Sequence, residues 1–153
     1  MALVFRGRYP HALDPKGRFS VPRRFRDVLA GFSDGGGNLI VVPDQQCLQV
    51  YPLEVWERME AKVRAKSPLD PRVRDFGRLF MSRARDVELD GAGRVLLPPD
   101  TRQQAGLARD VMLVGPGTDF FEIWDRTRFE EYDRQEQIKL PSLLETFSTE
   151  FGG

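Results

Sequence analysis

Apolar and polar residues alternate over short stretches of this chain, and helical spacing interrupts the alternation at regular intervals. Residues 2–9 predict a first strand ending near Pro10. Phe19 and Val21 mark a second, shorter one, and residues 39–42 with 47–51 read as a hairpin around Pro43-Asp44. Between these, Phe25, Val28 and Leu29 stand at helical spacing with charges on the opposite side. A longer helix over residues 52 to about 66 buries Val55, Trp56, Met59 and Val63, with Trp56 as core. After the break at Ser67-Pro68, Asp70 caps a helix from Pro71 to about Met81, which buries Val73, Phe76, Leu79 and Phe80 and bridges the chain's two halves.

The same order of elements then returns. Residues 84–89 and 95–97 predict strands, and Pro98-Pro99-Asp100-Thr101-Arg102 opens a short helix in which Arg102 answers Arg26. Residues 111–114 answer 39–42, residues 121–125 answer 48–52, and a last helix from Arg126 puts Phe129 where Trp56 stood. The best-matched part of the repeat is Leu13-Asp14-Pro15-Lys16-Gly17-Arg18-Phe19-Ser20-Val21-Pro22, met again as Leu89-Asp90-Gly91-Ala92-Gly93-Arg94-Val95-Leu96-Leu97-Pro98. Each copy has the chemistry of a tight turn between strands. Asp14 and Asp90 can accept bonds from backbone N–H groups a few residues on. Gly17 and Gly93 supply a positive φ without steric cost. Arg18 and Arg94 begin the returning strand within reach of those carboxylates, and the closing proline ends it.

Each half holds a few short strands, too little to bury a core or to hide its sheet edges. Two copies interleaving about a pseudo-twofold axis close a β-barrel with peripheral helices, an α+β fold. The expected segments are 1–80 and 81–140 as two repeats in one compact unit, followed by a tail, 141–153, that is partly disordered or docks on a neighbouring subunit. The alternative is two independent domains joined by the bridging helix.

Composition narrows the chemistry. At 41% apolar and 30% charged residues, the chain has a globular protein's means of building a core. Its net charge is zero, so the distribution carries the information. Residues 1–30 and 61–86 each carry a net +5, and residues 119–153 a net −5, which suggests a basic face with an acidic tail elsewhere. Cys47, the only cysteine, permits no internal disulfide and reads as a half-buried apolar residue; with one histidine, no His/Cys zinc site can form. His11 has no nucleophile partner and reads as a strand-end contact. Gly35-Gly36-Gly37 precedes a strand, so it is no phosphate-binding fingerprint. These residues indicate no enzyme, cofactor, metal or small-molecule substrate. With no long apolar run, a signal peptide and a membrane span are not expected, and the expected location is the cytoplasm.

The paired Asp-x-x-Gly-Arg-apolar-x-apolar-Pro motif, the opening Phe5-Arg6-Gly7-Arg8-Tyr9 and the overall length resemble the MraZ family of bacterial transcriptional regulators. That resemblance implies a tandem swapped-hairpin barrel related to AbrB-type DNA-binding domains. It also implies subunits in a homo-oligomeric ring, and binding to short repeated promoter elements on double-stranded DNA ahead of the division and cell-wall gene cluster, hence at the nucleoid. A β-hairpin is narrow enough to enter the major groove, where guanidinium groups read guanine edges while other cations hold phosphates. The expected DNA contacts are Arg6, Arg8, Lys16, Arg18, Arg23, Arg24 and Arg94, weighted to the first half because Ala92 replaces Lys16 and Pro99-Asp100 replaces Arg23-Arg24 in the second copy. Two other readings stay open: Arg18 and Arg94 as internal partners of Asp14 and Asp90, and the whole particle as an oligomeric protein-interaction scaffold without DNA readout.

Overall fold

Proline sets where strand gives way to helix. In the computed structural model, which describes residues 2–152, the chain runs through β1 (Phe5–Ala12), β2 (Arg18–Ser20), α1 (Arg23–Ala30), β3 (Asn38–Pro43), β4 (Leu48–Pro52), α2 (Leu53–Arg64) and α3 (Pro71–Leu79). It continues through β5 (Arg85–Glu88), β6 (Arg94–Leu96), α4 (Pro99–Gln104), β7 (Asp110–Thr118), β8 (Phe121–Asp125), α5 (Arg126–Glu136) and α6 (Leu140–Glu150). Pro22, Pro52 and Pro98 stand immediately before α1, α2 and α4 with φ of −55°, −56° and −58°. That is the angle the pyrrolidine ring imposes, so the turn from strand to helix is built into the residue. At the fourth such junction Asp125 does the work instead, its carboxylate accepting from the Arg128 N–H at 3.1 Å.

Six strands form one antiparallel sheet in the order β1-β7-β8-β4-β3-β5, and β2 pairs with β6 in a separate two-stranded ribbon. Exchanging every strand for its counterpart in the other repeat returns the same order, read from the other end. A pseudo-twofold axis therefore passes between β4 and β8, which pair directly through Leu48 with Ile123 and Val50 with Phe121. The halves do not keep their strands to themselves. β1 pairs with β7, β5 with β3, and the ribbon takes one strand from each. From β1 and β5 at the sheet's two edges, the duplicated turns carry the chain into the ribbon, which packs over the core.

That core draws on both repeats. Phe5, Phe25 and Phe121, all fully buried, meet with ring centroids 4.8–5.2 Å apart, joining β1, α1 and β8. Phe19, Val95 and Leu97 bury the inner side of the ribbon and its continuation against the same cluster. Two smaller clusters sit under the helices, related by the repeat. Trp56 of α2 packs on Tyr51 at 5.3 Å, and Phe129 of α5 packs on Trp124 at 5.2 Å.

The structure departs from the sequence reading at several places. β1 runs through Pro10 to Ala12, because at a sheet edge the proline's missing N–H interrupts no ladder. Cys47 is fully buried rather than half-buried. α3 stops at Leu79 and buries none of its residues: Phe76 is 39% and Leu79 66% exposed, and Val73 is half-buried. Only Phe80, just past its end, reaches the body, at 6.0 Å from Trp56. Likewise, the buried stripe of α2 fades after Val55 and Trp56, leaving Met59 and Val63 half-buried. The spacing of these residues is helical, but among the described residues nothing covers Phe76 and Leu79, while Met59 and Phe80 pack at the margin of the Trp56 cluster. Residues 140–150 form a helix with every residue exposed.

Candidate nucleic-acid interface

The two turns are built alike to within tenths of an ångström. In the first, Asp14 Oδ1 accepts from the backbone N–H groups of Lys16 (3.0 Å) and Arg18 (2.8 Å), while Gly17 N–H donates to the Asp14 carbonyl at 2.9 Å. In the second, Asp90 Oδ1 accepts from Ala92 and Arg94, both at 2.9 Å, and Gly93 N–H donates to the Asp90 carbonyl at 3.0 Å. Gly17 and Gly93 have φ of +91° and +78°, which side chains other than glycine rarely adopt. The Arg18 N–H bond, with the Arg18 side chain adding to it, holds the Asp14 carboxyl down at about 2. Asp90 is lowered in the same way, first by the Arg94 backbone N–H.

Each aspartate also holds its arginine, and holds it by one nitrogen. Asp14 Oδ2 accepts from Arg18 Nε at 2.6 Å, and Asp90 Oδ2 from Arg94 Nε at 3.3 Å. Among the described residues, the two terminal guanidinium nitrogens of each arginine donate to no protein group. Pairing within the protein and readout of a ligand are therefore compatible, since the carboxylate fixes the stem and leaves the fork free.

The ribbon puts these arginines together. Arg18 lies opposite Leu96 and Arg94 opposite Ser20, while Phe19 and Val95 pair between them and point into the core. By strand alternation, Arg18 and Arg94 share the ribbon's outer face as diagonal neighbours, about 7–8 Å apart at the backbone. The Val21 N–H donates to the Gly93 carbonyl and the Leu97 N–H to the Gly17 carbonyl, at 2.9 and 3.0 Å. Each turn is thus tied to the strand of the other repeat.

Interleaving supplies two cations that the linear reading left out of the site. A Cβ on Gly17 would stand 2.6 Å from Arg102 Nε and Cζ, so the first turn carries the arginine of α4 packed on its glycine. A Cβ on Gly93 would stand 3.1 Å from Arg26 Cδ, so the second turn carries the arginine of α1, which also donates to the Val21 carbonyl at 3.2 Å. Each repeat lends its helix arginine to the other's turn. The signal was in the sequence, because both arginines fall four residues after the proline that closes the motif.

Other expected contacts fall elsewhere. Arg23 and Arg24 are exposed at the start of α1, three to four residues beyond β2. Arg6 and Arg8 lie well back along β1, paired with Pro116 and Val114; at about 3.3 Å per residue Arg6 stands some 26 Å along the chain from Asp14. Arg8 is occupied. Its two terminal nitrogens each donate to Asp133 of α5 at 3.0 Å, and its guanidinium sits 5.0 Å from the Phe129 ring centroid. His11 is half-buried, and burial lowers its pKa. Burial also pushes the Cys47 thiol up, with Asp44 and Glu122 beside it, so no thiolate nucleophile is poised there. Among the described residues, no group of His, Cys, Asp and Glu could hold a metal ion, and no helix is long and apolar enough to cross a membrane.

Two hairpins exchanged about a pseudo-twofold axis, each turn fastened by an Asp–Arg pair, define a tandem swapped-hairpin protein of the α+β class. The chain belongs to the MraZ family. The family model described as "MraZ protein, putative antitoxin-like" matches it twice, over residues 4–79 and 80–146. Relatives named Transcriptional regulator MraZ include those of Nitrosospira multiformis (43% identical over 95% of this chain and 99% of the relative), Thiobacillus denitrificans (43%, with the same coverage) and Syntrophobacter fumaroxidans (38% over 92% of each). The family expected from the doubled motif is the one found, and these relatives are named as regulators rather than enzymes.

Proposed function

We propose that this chain is a DNA-binding regulator of transcription, assembled as a ring, whose arginine-bearing ribbon reads short repeated promoter elements ahead of the division and cell-wall gene cluster. The observation that carries this reading is the anchoring of Arg18 and Arg94 through Nε alone, side by side on the outer face of one ribbon. A guanidinium held by its stem has lost most of its freedom before it meets a ligand, and its fork matches the O6 and N7 edge of guanine. Lys16, Arg26 and Arg102 flank the turns and Arg23 and Arg24 follow β2, which suits them to phosphates on either side of the groove. The work is done at the nucleoid, in the cytoplasm. Arg8, engaged by Asp133, braces β1 against α5 and does not touch the DNA.

Both repeats contribute to this surface. Charge counted along the chain favours the first half, but Arg26 crosses to the second turn and Arg102 to the first. Fluorescence anisotropy with a promoter fragment from the cluster tests the assignment. R18A and R94A each weaken specific binding by about 1–3 kcal/mol and relax sequence preference. R102A and R26A weaken binding to any sequence and make the dependence of log K on log salt shallower, by about 0.9 for each phosphate no longer neutralised. Unchanged affinity in the R18A/R94A double variant contradicts the assignment of the reading arginines, and a wild-type chain that binds no DNA at low salt leaves the scaffold reading in its place.

A further inference from the structure

Two helical arms project from the body at positions related by the pseudo-twofold axis, and each leaves an apolar face uncovered. After β4 come α2 and α3, whose junction forms a groove of about 380 Å³ lined by Val63, Val73 and Phe76, with Lys66, Asp70 and Arg72 at its rim and Arg72 paired to Asp70 at 2.9 Å. Leu69 and Leu79 stand beside it, 80% and 66% exposed. After β8 come α5 and α6. On α6, Leu140, Leu143, Leu144, Phe147 and Phe151 recur at helical spacing and all are exposed, with Phe147 and Phe151 stacked at 5.3 Å. Among the described residues neither face meets the other.

The arms are opposite in charge. Residues 61–86 hold eight basic and three acidic side chains, whereas residues 119–153 hold four basic and nine acidic ones. Glu136, Glu145 and Glu150 accompany the apolar stripe of α6, whereas Lys66 and Arg72 outnumber Asp70 at the groove, with Arg74 nearby in sequence. Like meeting like across a self-complementary contact would set charges of one sign against each other; a contact between unlike arms sets each against its complement. The occupant that fits is therefore a second copy of this chain.

We infer that α6 of one subunit lays its Leu140–Phe151 stripe into the basic α2–α3 groove of the next, a head-to-tail contact that leaves a joined pair one free groove at one end and one free arm at the other. This rests on the ring reading given above, because a heterologous contact propagates and a ring is its closed form. The two arms continue from the central strands β4 and β8, so the contact joins neighbouring sheets while the ribbon stays uncovered for DNA.

Light scattering on the full-length chain tests the inference with three variants. L144D/F147D removes the arm's stripe, and F76D/L79D spoils the groove. Each is expected to be monomeric with an unchanged far-ultraviolet circular dichroism spectrum. Mixed one to one, they are expected to stop at a heterodimer, because each brings the half that the other lacks. A groove variant that still dimerises by itself, or a mixture that stays monomeric, overturns the inference. Should F76D/L79D fold poorly, K66E/R72E changes exposed rim charges, releasing Arg72 from Asp70, and spares the apolar lining. It is expected to dissociate the assembly, and adding E145K/E150K to the same chain is expected to restore it; no restoration overturns the pairing. Assembly that persists in both apolar variants removes this interface and leaves the ring standing. A wild-type chain that is monomeric at tens of micromolar removes both.

Discussion

Asp14 shapes the first turn, anchors Arg18 and sets the acid behaviour of the site, and all three follow from where its two oxygens point. Its carboxyl is lowered to about 2, so ionisation favours the folded turn. The sign is fixed by linkage. The stabilisation is fully present above the ordinary carboxylate value of about 4 and is lost as pH falls through about 2. D14N, which cannot ionise, is expected to lie below the wild type in urea midpoint at about pH 5 and to converge with it toward about pH 2. A constant difference over that range contradicts the assignment. The glycines allow a sharper contrast. Gly17 combines φ +91° with the Arg102 guanidinium against it, whereas Gly91 has open space around it. G17A is expected to cost roughly 1–3 kcal/mol. G91A is expected to be neutral or to add up to about 1 kcal/mol by restricting the unfolded chain. Thermal denaturation of the two variants compares them directly.

At the scale of elements, the order of strands and helices was legible because its signals are local. Pro22, Pro52 and Pro98 announce their junctions, Asp and Gly announce both turns, and the repeat pairs Trp56 with Phe129 and residues 39–42 with 111–114. What local pattern could not disclose was which surfaces find a partner. Val73, Phe76 and Leu79 have the spacing of a core stripe, yet spacing reports only that a helix has an apolar side, and among the described residues little covers it. Arg26 and Arg102 were visible as equivalents, but their place at each other's turn depends on strands crossing between repeats. Phe25 shows what that crossing builds, since its neighbours Phe5, Tyr9 and Phe121 come from β1 and β8. F25A is expected to cost about 3–5 kcal/mol and to lower a single unfolding transition seen alike by circular dichroism and by tryptophan fluorescence. Two separated transitions would show that the repeats are held apart energetically despite their shared sheet.

For the molecule as a whole, duplication solves the problem of a half too small to stand alone. Without the second repeat, β1 loses β7, β2 loses β6 and β3 loses β5. A fragment of residues 1–80 is expected to fold only by pairing with another copy of itself, so that its Tm rises with concentration. A folded monomer whose Tm ignores concentration contradicts that. The fused repeats place two arginines on one ribbon, and in the ring proposed above that ribbon is multiplied, so on this proposal the strength of DNA binding rests on how many ribbons engage at once. The most direct test is the affinity of the full-length particle for promoter DNA carrying one copy of the repeated element against four, at one salt concentration. The account predicts that four copies bind more tightly by at least about 100-fold, the gain that linked contacts confer. Equal affinity for one and four copies contradicts it.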